Sequence, residues 1–376
     1  MKTLHIHIGT PKTGTTAIQF FCRENAALLQ KEGYCYPTFP FDYSGSNKSH
    51  NGWFLLGALK DENGRRDTKQ EEINFREGMD IVKKHFLKYD NVILSHEGIW
   101  RKADVEKNGN KNFWQMMMQE AKEAGFQIHV IVYLRRQDKY FLSNWNQRVK
   151  RVGAKETIEE YSKRIDRDRL HYYDKLERIS AVIGKENVTV RCFDIEKFEG
   201  GTIYSDFLSI FGITLTEEYI LSQEVRNTGL YGNMHEIKRV MNFLPSMKNV
   251  ETQMFVMNVL RECSELSKEQ YPCEMYSKEE ISEFLESYKE GNQKIAEEYL
   301  HDSDRDLFDY TVEDLPKWKK ENPYMMDDLI RILGVVLIRQ HKEEEEQEIL
   351  KQSVWHMQHP VLSMVQRVKQ KCSKTG

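Results

Sequence analysis

The sequence predicts an α/β fold: a doubly wound parallel sheet flanked by helices, with an α-helical C-terminal extension. Three observations predict it. Short β-prone runs at 3–8, 91–95, 127–134 and 188–192 alternate with longer segments of helical period, the pattern of parallel strands joined by crossover helices. A glycine-bearing loop, 9–14, separates the first strand from the first helix. Beyond Gly232 no run reads as a strand.

In chain order, alternation over 3–8 gives a strand, and Ile18, Phe21, Cys22 and Leu29 recur on one face of the helix after Gly14. Residues 40–70 are rich in Gly, Ser, Asn and charge, and read as an irregular insertion of the kind that carries specificity. A helix at about 71–89 leads to the strand 91–95, and one at about 111–124 leads to the strand 127–134. Helices near 137–151 and 168–183, the strand 188–192 and a helix at 202–211 follow. Residues 232–244, 249–268, 277–300 and 323–371 are helical in period and heavily charged, with Glu343 to Glu346 on a solvated face. The expected division is a core at 1–245 and a helical extension at 246–376.

Composition narrows the class. With 39% hydrophobic residues and 8 prolines in 376, the chain can bury a sizeable core and is neither disordered nor fibrous. Its 55 basic and 59 acidic residues leave a formal charge of −4, so no global field draws it to nucleic acid or anionic lipid, and any basic site is local. Neither a secretory leader nor a membrane-spanning run is read, and the expected location is the cytoplasm. The six cysteines and 12 histidines are scattered without metal-ligand spacing, so reduced thiols and no metal are expected.

Two stretches carry chemistry. The first runs from Gly9 through Thr10, Pro11, Lys12, Thr13, Gly14 and Thr15 to Thr16, where a strand gives way to a helix. Free backbone N–H groups and the helix dipole converge on an anion there, and Lys12 with the threonine hydroxyls adds charge and donors. A nucleoside-triphosphate P-loop has lysine after its second glycine, whereas Thr15 stands there and the lysine lies inside the loop, which argues against a kinase or ATPase. The second stretch, again strand into helix, sets Arg135 at the strand end and Ser143 on the next helix, a fork and a hydroxyl suited to a second phosphate.

Together these stretches resemble the sulfotransferases that use 3′-phosphoadenosine 5′-phosphosulfate (PAPS). In that likeness Pro11, Lys12, Thr13, Gly14, Thr15 and Thr16 form the 5′-phosphosulfate loop, and Arg135 with Ser143 holds the 3′-phosphate. The resemblance continues through Arg191 to Phe198 and over about 1–245, and more faintly to about 310, where Tyr288, Asn292 and Tyr299 share a helix. It implies a P-loop-like fold and sulfuryl transfer to a hydroxyl or amine, with adenosine 3′,5′-bisphosphate as product. It also assigns Lys12 to the leaving group, and the base to the end of the strand at 91–95, where His96 is the first choice by likeness to cytosolic members and Glu97 the rival by likeness to carbohydrate members. Ala17 replaces the tryptophan of aryl-type members, which points to the carbohydrate-type branch and a glycan acceptor. Arg226 faintly echoes a further 3′-phosphate segment. Trp53, Phe54, Trp100, Trp114 and Trp145 are candidates for a sugar platform, although aromatics at such spacing are more often core. A P-loop kinase on this architecture and a non-catalytic nucleotide- or glycan-binding protein are the competing readings.

Overall fold

A computed structural model describes residues 1–41, 50–56, 59, 61–100, 113–165, 167–221, 229–301 and 306–359. Five parallel strands form one sheet in the order β2-β3-β1-β4-β5. They are β1 (Thr3–His7), β2 (Tyr34–Cys35), β3 (Asn91–Ser95), β4 (Gln127–Leu134) and β5 (Val188–Cys192). From β1 the chain passes to the edge at β2, returns to β3 beside β1, and crosses to β4 on the other side. The carboxyl end of β1 therefore lies at the switch point where open α/β sheets bind ligands.

Alternation along the strands separates two apolar layers. Leu4, Ile6, Val92, Leu94, Val130, Val132 and Val190 pack with residues of α3 (Thr68–His85), α4 (Phe113–Ala124) and α7 (Tyr172–Ile183). Ile93, Ile131 and Tyr133 pack on the opposite face with α1 (Thr15–Glu24), α2 (Ala26–Lys31) and α8 (Ile203–Ser209). Both faces are covered, which explains the nearly continuous apolar runs of the central strands and makes the sheet doubly wound, as the sequence predicts.

Strands β1, β3, β4 and β5 end where the sequence places them, within a residue. β2 went unread because two paired residues carry no periodicity. α5 (Gln137–Gln147) is shorter than expected, since residues 148–152 widen into a π-helical turn. α6 (Ile158–Arg164) was also missed, although its signal is in the sequence: Thr157 accepts from Glu160 N, and Glu160 reaches back to Thr157 N, a capping box.

The chain groups into two units. The first comprises 1–147, 157–227 and 276–314, and the second 148–156, 228–275 and 315–376. α11 (Lys278–Tyr299), which the sequence groups with the C-terminal helices, belongs to the first. Its buried Asn292 exchanges amide hydrogen bonds with Gln137 of α5 at 2.7 and 3.1 Å, and its Tyr299 hydroxyl pairs with Ser180 of α7. In the second unit α9 (Asn233–Met241), α10 (Val250–Gln270) and α12 (Met325–Gln358) bury Met234, Ile237, Leu260 and Ile332. Asp328 is wholly buried there, satisfied by Asn233, Ser267 and Arg331. Glu343 to Glu346 are exposed on α12. No described helix is long and apolar enough to cross a membrane, and Cys22, Cys35, Cys192, Cys263 and Cys273 are free and buried.

Candidate functional site

The loop after β1 is tied to the end of β4. Ile8 N donates to Ile131 O at 2.9 Å, and Thr10 donates to Tyr133 O through both its backbone N and its hydroxyl, at 3.1 and 3.0 Å. Gly14 then caps α1 at a left-handed φ of 69°. A Cβ there would run into Ile203 and come within 2.9 Å of the Phe193 ring, so only glycine lets the loop pass β5 and α8 this closely. Lys12 also has a left-handed φ, 74°, without being glycine. Such a backbone costs on the order of 1–3 kcal/mol and persists where its surroundings impose it, commonly at functional loops.

The hydroxyls of the loop divide their tasks. Thr13 donates to the Thr10 carbonyl at 2.6 Å and so holds the turn. Thr16 is exposed at the first turn of α1, and Pro11 and Lys12 are half-buried. The Thr15 hydroxyl is buried at the helix N-terminus with no hydrogen-bond partner among the described residues, a donor positioned for an anionic oxygen where backbone N–H groups also converge.

Arg135 joins this loop. Its guanidinium donates from Nη1 to the Lys12 carbonyl at 3.1 Å and lies 5.6 Å over the Phe193 ring, while the Tyr172 hydroxyl fixes the Arg135 carbonyl at 2.9 Å. Its neighbour Arg136 has a carboxylate of its own, Asp138, engaged by two hydrogen bonds of 2.8 and 2.9 Å. Among the described residues no carboxylate pairs with Arg135. Burial lowers its pKa from the ordinary arginine value, with Asp138 acting the other way, and a guanidinium so desolvated gains from an anion. Ser143 is half-buried on α5, and no hydrogen bond among the described residues joins it to Arg135. Arg226 lies outside the described residues.

At the end of β3, His96 and Glu97 have different surroundings. His96 is 4% exposed, its ring 4.3 Å from that of Trp53 and edge-on to His50 at 5.3 Å. Gly98 N donates to His96 Nδ1 at 2.9 Å, which leaves the proton of the neutral ring on Nε2. Glu97 is half-exposed, and Gln19 Nε2 of α1 lies 3.4 Å from its Oε2. Sequence reasoning missed Gln19 as well as His7 and Ser95, whose side chains pair at 2.8 Å. A glutamine among the apolar residues of a helix face was the available signal. Of the five aromatics offered as a platform, Phe54, Trp100, Trp114 and Trp145 are core residues, and Trp53 alone of them keeps partial exposure.

No family model matches the chain. An uncharacterised protein of Archaeoglobus fulgidus is 28% identical to it over 174 residues, 46% of this chain and 45% of that protein, so the chain spans less than half the length of this relative. The crystal structure of a sulfotransferase from Alicyclobacillus acidocaldarius is 14% identical, covers 60% of this chain and 87% of its own, and superposes with a TM-score of 0.34.

Proposed function

We propose that the chain is a sulfotransferase that moves a sulfuryl group from PAPS to a hydroxyl or amine of an acceptor, a carbohydrate by the branch its loop resembles. The observation that carries this reading is the contact between Arg135 and the Lys12 carbonyl. A guanidinium without a carboxylate of its own among the described residues stands against a phosphate-type loop, so two phosphates of one nucleotide find separate cationic partners. The Thr15 hydroxyl at the start of α1, without a hydrogen-bond partner among the described residues, fits the 5′ group. A triphosphate P-loop would need lysine where Thr15 stands.

PAPS supplies a sulfuryl group activated by its bond to phosphate. In-line displacement forms a bond from the acceptor oxygen or nitrogen to sulfur and breaks the sulfur–oxygen bond, whose electron pair leaves on the bridging oxygen. Lys12 is assigned to that developing charge, Arg135 and Ser143 to the 3′-phosphate, and Glu97 to the acceptor's proton. Glu97 is preferred to His96 because the His96 Nδ1 lone pair is spent on Gly98 N–H and Nε2 carries the ring proton, so neither nitrogen is free to accept another.

The test is turnover of labelled PAPS across glycans, phenols, sterols and amines, read as release of adenosine 3′,5′-bisphosphate with one acceptor class. Consumption of ATP with magnesium instead would restore the kinase reading. Tight nucleotide or glycan binding without turnover of either donor would leave a binding protein.

A further inference from the structure

A buried amide reaches Glu97 from α1. Gln19 has no solvent exposure, and it lies on the face of α1 where Thr15, Ile18, Phe21 and Cys22 are also buried. A primary amide in such a place is costly unless its polar atoms are engaged. Its Nε2 lies 3.3 Å from Ser95 Oγ, 3.4 Å from the Ser95 carbonyl and 3.4 Å from Glu97 Oε2. All three are acceptors. Reversing the amide would turn its oxygen against a carbonyl and a carboxylate, so the nitrogen is fixed on this side. Its own oxygen has no partner among the described residues. An unmet buried acceptor calls for a reason to keep the amide, and the nearest one is the carboxylate it faces.

The anchor behind Gln19 is rigid. Ser95 Oγ pairs with His7 Nδ1 at 2.8 Å, and Ser95 N donates to Asn51 Oδ1 at 2.8 Å. His7 is wholly buried, which lowers its pKa to about 3, so this anchor keeps one protonation state wherever a carboxylate base operates. Among the described residues, Tyr36 and His50 also interact with Glu97. Tyr36, just beyond β2, is driven far above the ordinary tyrosine value by burial and stays neutral. His50 is lowered by burial and raised by Glu97.

We infer that Gln19 is a positioning residue for Glu97, holding Oε2 so that Oε1 remains for the acceptor's proton. The inference rests on the sulfuryl-transfer reading with Glu97 as base. Its test is kcat and KM for the donor in the wild-type chain, Q19M and Q19E, each repeated in an H50Q background so that His50 is accounted for. Q19M removes the donor at similar length. It should lower kcat on the order of ten- to a hundredfold with KM for the donor little changed. Q19E sets a second carboxylate against the first, displaces it by like-charge repulsion and should lower kcat at least as far. Unchanged kcat in both variants, or a fall matched by an equal loss of donor binding, would overturn the inference. Should Q19M fail to fold, S95A, which removes only the Oγ anchor, should lower kcat by less, and no loss in it counts against the inference. A crystal structure of Q19M gives the readout that needs no turnover. If the wild-type chain releases no product, the transfer reading fails, and Glu97 unmoved in Q19M would dismiss the positioning role separately.

Discussion

At the scale of single residues, Lys12 combines a left-handed backbone with a charge assigned to the reaction. These two properties can be separated. Lys12→Ala should cut turnover at saturating PAPS at least about a hundredfold, as expected for losing a charge aimed at the transition state. Lys12→Gly should lose as much activity yet melt higher than Lys12→Ala, by the equivalent of about 1 kcal/mol, because glycine accepts a φ of 74° without strain. Equal melting of the two would mean that the loop relaxes when the side chain is removed. The neighbouring pair separates similarly. Glu97→Gln should cost about 10² to 10⁴ in rate. His96→Asn keeps an acceptor for Gly98 N–H and should cost much less in rate, its main effect being lost packing against Trp53. Full activity in Glu97→Gln would remove it from the mechanism.

At the scale of strands, one polar row crosses an otherwise apolar sheet. Asn91 of β3, His5 of β1, His129 of β4 and Thr189 of β5 are linked in sequence at 3.1, 2.8 and 2.8 Å. The row has one consistent direction. Asn91 Nδ2 points to the Gly33 carbonyl, so its Oδ1 accepts from His5 Nε2. His5 Nδ1 then accepts from His129 Nδ1, and His129 Nε2 accepts from the Thr189 hydroxyl. Two protonated rings would set N–H groups face to face at the His5 Nδ1 to His129 Nδ1 contact, so the row cannot take up a proton on each ring. Burial already lowers both pKa values to about 4 from the model-peptide value of 6.5. A folded-state pKa below the unfolded one means that the neutral pair contributes fully above about pH 6.5. That contribution is lost as the pH falls toward about 4, on the order of 3 kcal/mol for His5. Denaturant melts from pH 7 to 4 should show this loss, and His129→Gln should flatten it relative to the wild-type chain. Parallel slopes for the two proteins would show that the row does not govern acid stability.

At the scale of the molecule, a charge of −4 gives no long-range attraction for a nucleotide, so affinity has to come from local groups. All the proposed donor contacts lie in the first unit, on the loop after β1, at the end of β4 and on α5. A ligand held only by the folded state adds RT ln(1 + [L]/Kd), about 2.7 kcal/mol at a hundred times Kd. Adenosine 3′,5′-bisphosphate should therefore raise the midpoint of that unit well above what 5′-AMP or ATP does at equal concentration. Arg135→Ala should erase the preference while leaving the weak response to 5′-AMP. A larger shift with ATP and magnesium would count against two separate phosphate sites.

Local patterning determined much of this protein without help from the fold. Residues 91–95 and 127–134 announce themselves as strands because β-branched runs bounded by turns need only their neighbours to be recognised, and the loop holding Lys12 is legible because its glycines and its strand-to-helix junction are contiguous. What chemistry the site can do was decided by contacts between residues far apart in the chain. Parallel pairing of β1 with β3 and β4 brings Gln19 to Glu97, 78 positions away, and Arg135 to Lys12, 123 positions away. Strand register sets such meetings, and periodicity along one segment carries no information about register with another. The protonation of His96 likewise depends on how the chain turns back at Gly98, and the burial of Trp100, Trp114 and Trp145 on which layer their segments join. The likeness to sulfotransferases proposed His96 or Glu97 as the base, and the feature that distinguishes the two proposals, the Gly98 N–H on His96 Nδ1, exists only in three dimensions.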